Sequence, residues 1–401
     1  MMPAAGKAID SALPEFSLVG GGPLHGLIRR ARIGGRPISP VGFGVALALL
    51  TWLPLLFLVV LERVGPGLGQ PGSFLASINT HVRFLVAIPL MFFAEVWIDP
   101  RLRHFVQDLV VAGLVTGTET SALTRAIRLT HRIRDSVAAE LALAILALTL
   151  VQLDFRPFTP LGDVWSWRSI GVGADARLTW AGWWYGLVAL PVYQFLIYRW
   201  GWRLLAWAVF LWRLSRVRLQ LLPTHPDLAG GLGYLPVAQG HFEILCTVFS
   251  AVVASIYAER MMFSGVRLEA LTRPLITLVV ANLALFLGPL FFFGPRLLQV
   301  KRRGQREYGV LATAYVRGFD TKWLRARTPA GEPLLGNPDI QSLNDLAGSF
   351  EVIRRMRVVP FGMGLVLILV AATLAPMVPL VFLAFPMDTL LELAARLIFG
   401  L

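Results

Sequence analysis

Long apolar runs separated by segments rich in arginine, glycine and proline dominate this chain. Seven runs are long enough, or nearly so, to cross a membrane: 41–61, 76–98, 136–153, 178–198, 237–257, 274–293 and 360–385. A helix covers a hydrocarbon core of roughly 30 Å with about 20 mainly apolar residues. None of the runs alternates with period two, which disfavours a β-barrel. A spanning helix satisfies its own backbone groups where no water is present. The first run is too long for a signal-peptide core of roughly 7–15 residues and reads as an uncleaved signal anchor. The second is the weakest, since Arg83 must snorkel from its outer end. Residues 200–222 are also apolar but interspersed with arginines, so six or eight spans stay open beside seven.

The pattern predicts an all-α, polytopic transmembrane helix bundle of about seven spans, with long cytoplasmic helical extensions. The expected divisions are a cytoplasmic tail (1–40), a six-span region (41–295), a basic cytoplasmic helical segment (296–359), and a last span with an outer interfacial tail (360–401). Thr118 and Thr120 offer N-caps ahead of a helical pattern without a breaker to Leu153. That predicts a rod of about 50 Å. Further on, a Pro/Gly stretch at 328–337 leads into Asn337-Pro338-Asp339, a helix start with Asn as cap and proline in the first turn. Ile340, Leu343, Leu346, Phe350 and Ile353 follow as an amphipathic stripe. This helix is expected to pack on its neighbours or lie on the membrane surface; oligomerisation or gating through span seven is the alternative.

Charge orients the bundle. Of 401 residues 56% are apolar and only 15% charged, yet the net charge is +13. The segments that alternate on one side hold 28 basic and 13 acidic residues, and those on the other hold 9 and 8. Basic residues mark cytoplasmic loops, so the chain reads as N-in and C-out, in a bacterial inner membrane. Such a composition excludes a disordered, collagen-like or secreted disulfide-bonded chain, and makes nucleic acid an unexpected partner. The single cysteine, Cys246, lies in an apolar run and reads as a buried thiol. Trp180, Trp183 and Trp184 at one end of span four, with Trp200 and Trp202 at the other, read as interfacial belts.

Candidate chemistry is sparse. Glu95, Glu140 and Glu243 lie within proposed spans, with Gln239 and His241 nearby. All three glutamates fall roughly 6–10 Å below the cytoplasmic surface. They read either as a polar vestibule for an ion, proton or solute, or as residues paired with arginines such as Arg101, Arg103, Arg132 or Arg218. Arg125, Arg128 and Arg132 share one helix face, and Arg354, Arg355 and Arg357 precede span seven. Both groups suit anionic lipid headgroups. His225, Asp227, Gly230, Gly231 and Gly233 form a glycine-rich loop. Without a following Lys-Ser/Thr it is not a phosphate-binding P-loop, and a re-entrant or interfacial turn in which Asp227 or His225 caps a helix is the expected role. No metal site is entered, because His241 and Glu243 two residues apart on a helix point away from each other. No cofactor or catalytic residue is expected.

The runs HPDLAGGLGYL (225–235) and GNPDIQSLNDLAGSFEVIRRMRVVPF (336–361) resemble those of uncharacterised multi-pass bacterial inner-membrane proteins. The resemblance covers under a tenth of the chain. It implies a bacterial membrane protein and carries no activity or site residue. The leading functional expectation is ion or small-solute permeation by the bundle or a homo-oligomer. A scaffold that docks a partner through its basic face comes second, and a lipid-acting enzyme third.

Overall fold

The computed structural model describes residues 14–30, 32–33, 36–62, 70, 72–154, 166–170, 177–325 and 336–384. The proposed outer interfacial tail and most of the Pro/Gly stretch at 328–337 lie outside these residues. Among the described residues the fold is helical, apart from two antiparallel ribbons that pair Arg32–Ile33 with Arg36–Pro37 and Ser169–Ile170 with Arg177–Leu178.

Five helices are long and apolar enough to cross a membrane: Pro40–Glu62, Ile78–Val111, Tyr234–Ser264, Leu268–Arg325 and Met363–Ala384. With α1 at Pro23–Arg30, we number them α2, α3, α7, α8 and α10. Between them lie α4 (Thr120–Arg134), α5 (Val137–Asp154) and α6 (Leu190–Leu214), and α9 is Pro338–Arg355. α6 continues a helical lead-in through Trp180–Trp184 and the π-turn Tyr185–Ala189. The expected spans at 136–153 and 178–198 are thus helical too. The first is short and holds Glu140 and Asp154, and the second carries several tryptophans, tyrosines and Gln194.

Two helical boundaries differ from expectation. The predicted rod from Thr120 to Leu153 breaks at Asp135 and Ser136. The Ser136 side chain accepts from Ala139 N–H at 3.2 Å, an N-cap contact that starts a new helix and competes with continuation of the old one. Conversely, the helix expected to end at Tyr198 runs to Leu214, so Arg199 and Arg203 are helical and not part of a connection. Their side chains find partners inside the bundle, which removes the cost that a lipid-facing arginine would carry.

The core is continuous and aromatic. α2 packs on α3 at Gly44, where a Cβ would lie 2.7 Å from the Phe92 ring, so only hydrogen fits. Trp200 is buried and donates to the Met91 carbonyl at 3.2 Å, and Trp202 donates to Ile133 at 2.8 Å. These two tryptophans therefore join helices rather than anchor an interface, while Trp180 and Trp183 are exposed. Arg83 does not snorkel: its guanidinium donates to the Tyr185 hydroxyl at 3.0 Å and lies over the Tyr193 ring. Cys246 is buried.

Part of the expected cytoplasmic tail, the described residues 14–30, folds into the bundle. Phe16, Leu18 and Val19 are buried in the main core, Phe16 against Trp207 and Phe210. At the far end of the sequence, α8 and α9 form a helical hairpin. α8 is a continuous helical run of 58 residues, with 3-10 turns at Leu268–Leu271 and Gly288–Phe293 and a π-turn at Asp320–Arg325. Beyond Gly304 it buries nothing against the bundle. Its inner face meets the predicted stripe of α9: the Gly309 position faces Phe350, and Gly304 touches Ile353 and Pro223. Tyr315 donates to the Asp339 carbonyl at 3.0 Å, and Lys322 and Trp323 donate to the Asp339 carboxylate at 2.9 and 3.0 Å. The stripe thus packs mainly on a neighbouring helix, leaving Ile340 45% exposed.

Candidate functional site

Glu95 and Asp99 stand one turn apart on α3, and Arg199 and Arg203 one turn apart on α6. Such i, i+4 pairs share a helix face, and in the fold the two faces meet. Arg199 donates to Glu95 at 2.7 Å and, through Nε, to Glu140 of α5 at 3.0 Å. Arg203 donates to the same Glu95 oxygen at 2.6 Å. All four side chains are at least nine-tenths buried. The expected pairing of Glu95 and Glu140 with arginine is therefore present, but with Arg199 and Arg203 instead of Arg101, Arg103, Arg132 or Arg218. Arg101 stacks on Trp97 at 3.8 Å. Arg103 pairs with Asp99 at 3.4 Å and with Glu15.

The N-terminal segment closes this network. The Asp99 carboxylate accepts from the Ser17 hydroxyl at 2.9 Å and from the backbone N–H groups of Leu18 at 2.7 Å and Val19 at 3.0 Å. Leu24 N–H donates to Glu140 at 3.2 Å. Arg134, paired with Asp135, donates to the Ser17 carbonyl at 2.6 Å, and Arg203 reaches the Val19 carbonyl at 3.4 Å. The Ser17 N–H faces His131 Nε2 at 3.4 Å. Burial, with Arg134 adding to it, holds the His131 imidazole below its ordinary value. Burial, reinforced by Arg199, Arg203 and Arg29 against Glu95, does the same for His25.

Sequence reasoning missed Arg199, Arg203, Asp99 and Ser17. The signal was there in outline: an acidic i, i+4 pair at 95 and 99 and a basic i, i+4 pair at 199 and 203, each on a helix.

The other expected vestibule residues separate from this network. Gln239 is buried, accepts from the Trp207 indole at 2.8 Å and donates to the Phe286 carbonyl at 2.6 Å. His241 and Glu243 instead line a cavity of about 560 Å³ between α7 and the start of α10, together with Arg357. Among the described residues, no group of three or more His, Cys, Asp or Glu side chains could hold a metal ion.

The glycine-rich loop cradles its own aspartate. The Asp227 carboxylate accepts from the backbone N–H groups of Ala229 at 2.8 Å, Gly231 at 3.0 Å and Gly233 at 2.7 Å, and pairs with His225 at 2.8 Å. Burial pushes this carboxyl up, and the three backbone donors with His225 outweigh it, holding it below the usual carboxylate range. Gly231 has φ +103, and a Cβ there would lie 2.7 Å from Leu114. The loop is a junction: Leu228 accepts from Arg357 N–H at 2.7 Å, Leu114 accepts from Gln220 N–H at 2.8 Å, and Gly230 packs on Met356. An anion-binding concavity built of backbone N–H groups is present, with Asp227 already in it.

Of the proposed headgroup contacts, Arg125, Arg128 and Arg132 form an exposed face of α4 opposite buried Leu123, Ala126 and Ile127. Arg354 and Arg355 both pair with Glu351, at 2.7 and 2.6 Å. No protein family, no curated protein and no solved structure matches this chain.

Proposed function

We propose that this is a seven-span membrane protein of the bacterial inner membrane, with its arginine-rich end in the cytoplasm, that assembles with a partner through the α8–α9 hairpin. The observation that carries the reading is the distal surface of that hairpin. Val310, Leu311, Val316, Leu324 and Ile340 are 45–73% exposed where the hairpin has left the bundle. Apolar residues on a projecting element that buries nothing of the bundle are suited to a partner surface. The arginines around them, including Arg302, Arg303, Arg306 and Arg317, favour an acidic rim on that partner. The measurement is the mass of the intact protein purified gently from native membranes. A stoichiometric companion or a second copy is expected with the wild type, and its loss with Val310→Asp/Leu311→Asp. A lone chain in both preparations overturns the reading.

A second reading, permeation of an ion or small solute, is favoured by the polar network under residues 14–30. Those residues hold Asp99, Glu140 and Arg203, so their release would open a charged vestibule. Reconstituted protein lacking residues 14–30 is then expected to pass protons, cations or anions faster than the full chain. Equal leakage from both, no greater than that of empty liposomes, overturns it.

A further inference from the structure

Glu95 and Glu140 have arginine partners, and so does Glu351. Three other ionisable side chains, which share one cavity, have no ion-pair partner among the described residues. The Arg357 guanidinium and the Glu243 carboxylate make no hydrogen bond or ion pair among the described residues, and both line the cavity between α7 and α10. The third, His241, uses Nδ1 on the Val237 carbonyl at 2.7 Å. A carbonyl only accepts, so Nδ1 carries the hydrogen and Nε2 is left for another partner. The His241 ring also contacts Trp97, at 5.8 Å between centroids.

The rest of the wall is apolar. Val237, Met363 and Ile368 line the cavity and are 64%, 69% and 45% exposed, and Leu365, which also lines it, is buried. α10 begins at Met363 within an apolar helix able to cross the membrane. The charged part of the cavity therefore lies where such a helix meets the headgroup layer, and the apolar part faces the acyl chains. A guanidinium beside a carboxylate and an imidazole acceptor, over an apolar wall, matches an amphiphile whose head carries both signs.

We infer that this cavity binds a single aminophospholipid from the inner leaflet, its phosphate on Arg357 and its primary ammonium on Glu243 and the His241 Nε2 acceptor. The acyl chain lies along Met363 and Ile368. Arginine recognises phosphate through paired donors, and a primary ammonium gives Glu243 hydrogen bonds that a quaternary ammonium lacks. The selectivity of Glu243 therefore rests on charge-assisted hydrogen bonds, each strong enough for about a ten-fold preference.

The test uses the full chain in mild detergent, delipidated and titrated with phosphatidylethanolamine, phosphatidylcholine or phosphatidylglycerol. Bound lipid is counted by native mass spectrometry and followed by Trp97 fluorescence. One phosphatidylethanolamine per chain is expected, held about ten-fold more tightly than the other two lipids. Glu243→Gln should erase that preference without abolishing binding. Arg357→Ala should abolish binding, and Arg357→Lys should restore part of it, which separates loss of the phosphate contact from misfolding. Equal binding of all three lipids, or an unchanged preference in Glu243→Gln, overturns the inference. So does displacement by soluble phosphoethanolamine at the same concentration as the lipid, since the apolar wall would then contribute nothing.

Discussion

Arg199→Ala is expected to lower the stability of the detergent-solubilised protein by about 3–5 kcal/mol, the range for removing one member of a buried ion network. Arg199 is the only residue that touches both Glu95 and Glu140 in the described structure. Its loss leaves Glu140 with the Leu24 N–H alone, and gives Glu95 a single arginine in a site closed to water. An uncompensated buried carboxylate must either stay charged at high cost or take up a proton. Arg199→Lys should recover only part of the loss, because one ammonium cannot present the two separated donors that bridge the carboxylates. Simultaneous replacement of Glu95, Glu140, Arg199 and Arg203 by apolar residues of similar size should cost far less than the single change. Thermal unfolding of the three variants reads this out. Arg199→Ala melting with the wild type would mean that water or detergent already reaches these groups.

Asp227→Ala is expected to cost about 2–4 kcal/mol, from losing several hydrogen bonds to one charged acceptor. Three backbone N–H groups lose their shared partner at once, in a loop whose Leu228 has φ +57 and whose Gly230 and Gly231 have φ +69 and +103. Without the carboxylate nothing offsets those conformations. The Arg357–Leu228 and Gly230–Met356 contacts couple the loop to the start of α10, so the damage should spread there. Hydrogen exchange should then rise at both 225–233 and 356–365, and a change confined to the loop would show that the junction is not rigid. The pH dependence has the same origin. The folded carboxyl titrates below its usual value, so its stabilisation is complete above about pH 4. It is lost as pH falls through the lower folded value.

Much of the architecture was legible because lipid demands long apolar runs, and five of the seven runs coincide with helices able to span a membrane. The start of α9 was legible for a local reason: the Asn337 side chain accepts from Asp339 N–H at 2.9 Å, as its cap position requires. The glycine loop reads as a turn in which Asp227 or His225 caps a helix; in the fold Asp227 instead holds the backbone of its own loop, and no side chain caps the helix that starts at Tyr234. What escaped was pairing at a distance. Glu95 and Arg199 lie 104 residues apart, and composition cannot say that their helices face each other. Arg199 and Arg203 were assigned to a connection because charge is normally evidence for a loop in such a chain. Ser17, Leu18 and Val19 carried no signal at all, since two of their three anchors to Asp99 are backbone groups present in every residue.

The reach of those anchors has a consequence for synthesis. Ser17 waits 82 residues for Asp99, and Val19 waits 184 for Arg203. At typical translation rates the second interval is roughly 10–40 s. Through that time Phe16, Leu18 and Val19 are out of the core they will fill. This apolar segment is thus buried only after α3, α4 and α6 have been made, and its docking reports that those helices have come together.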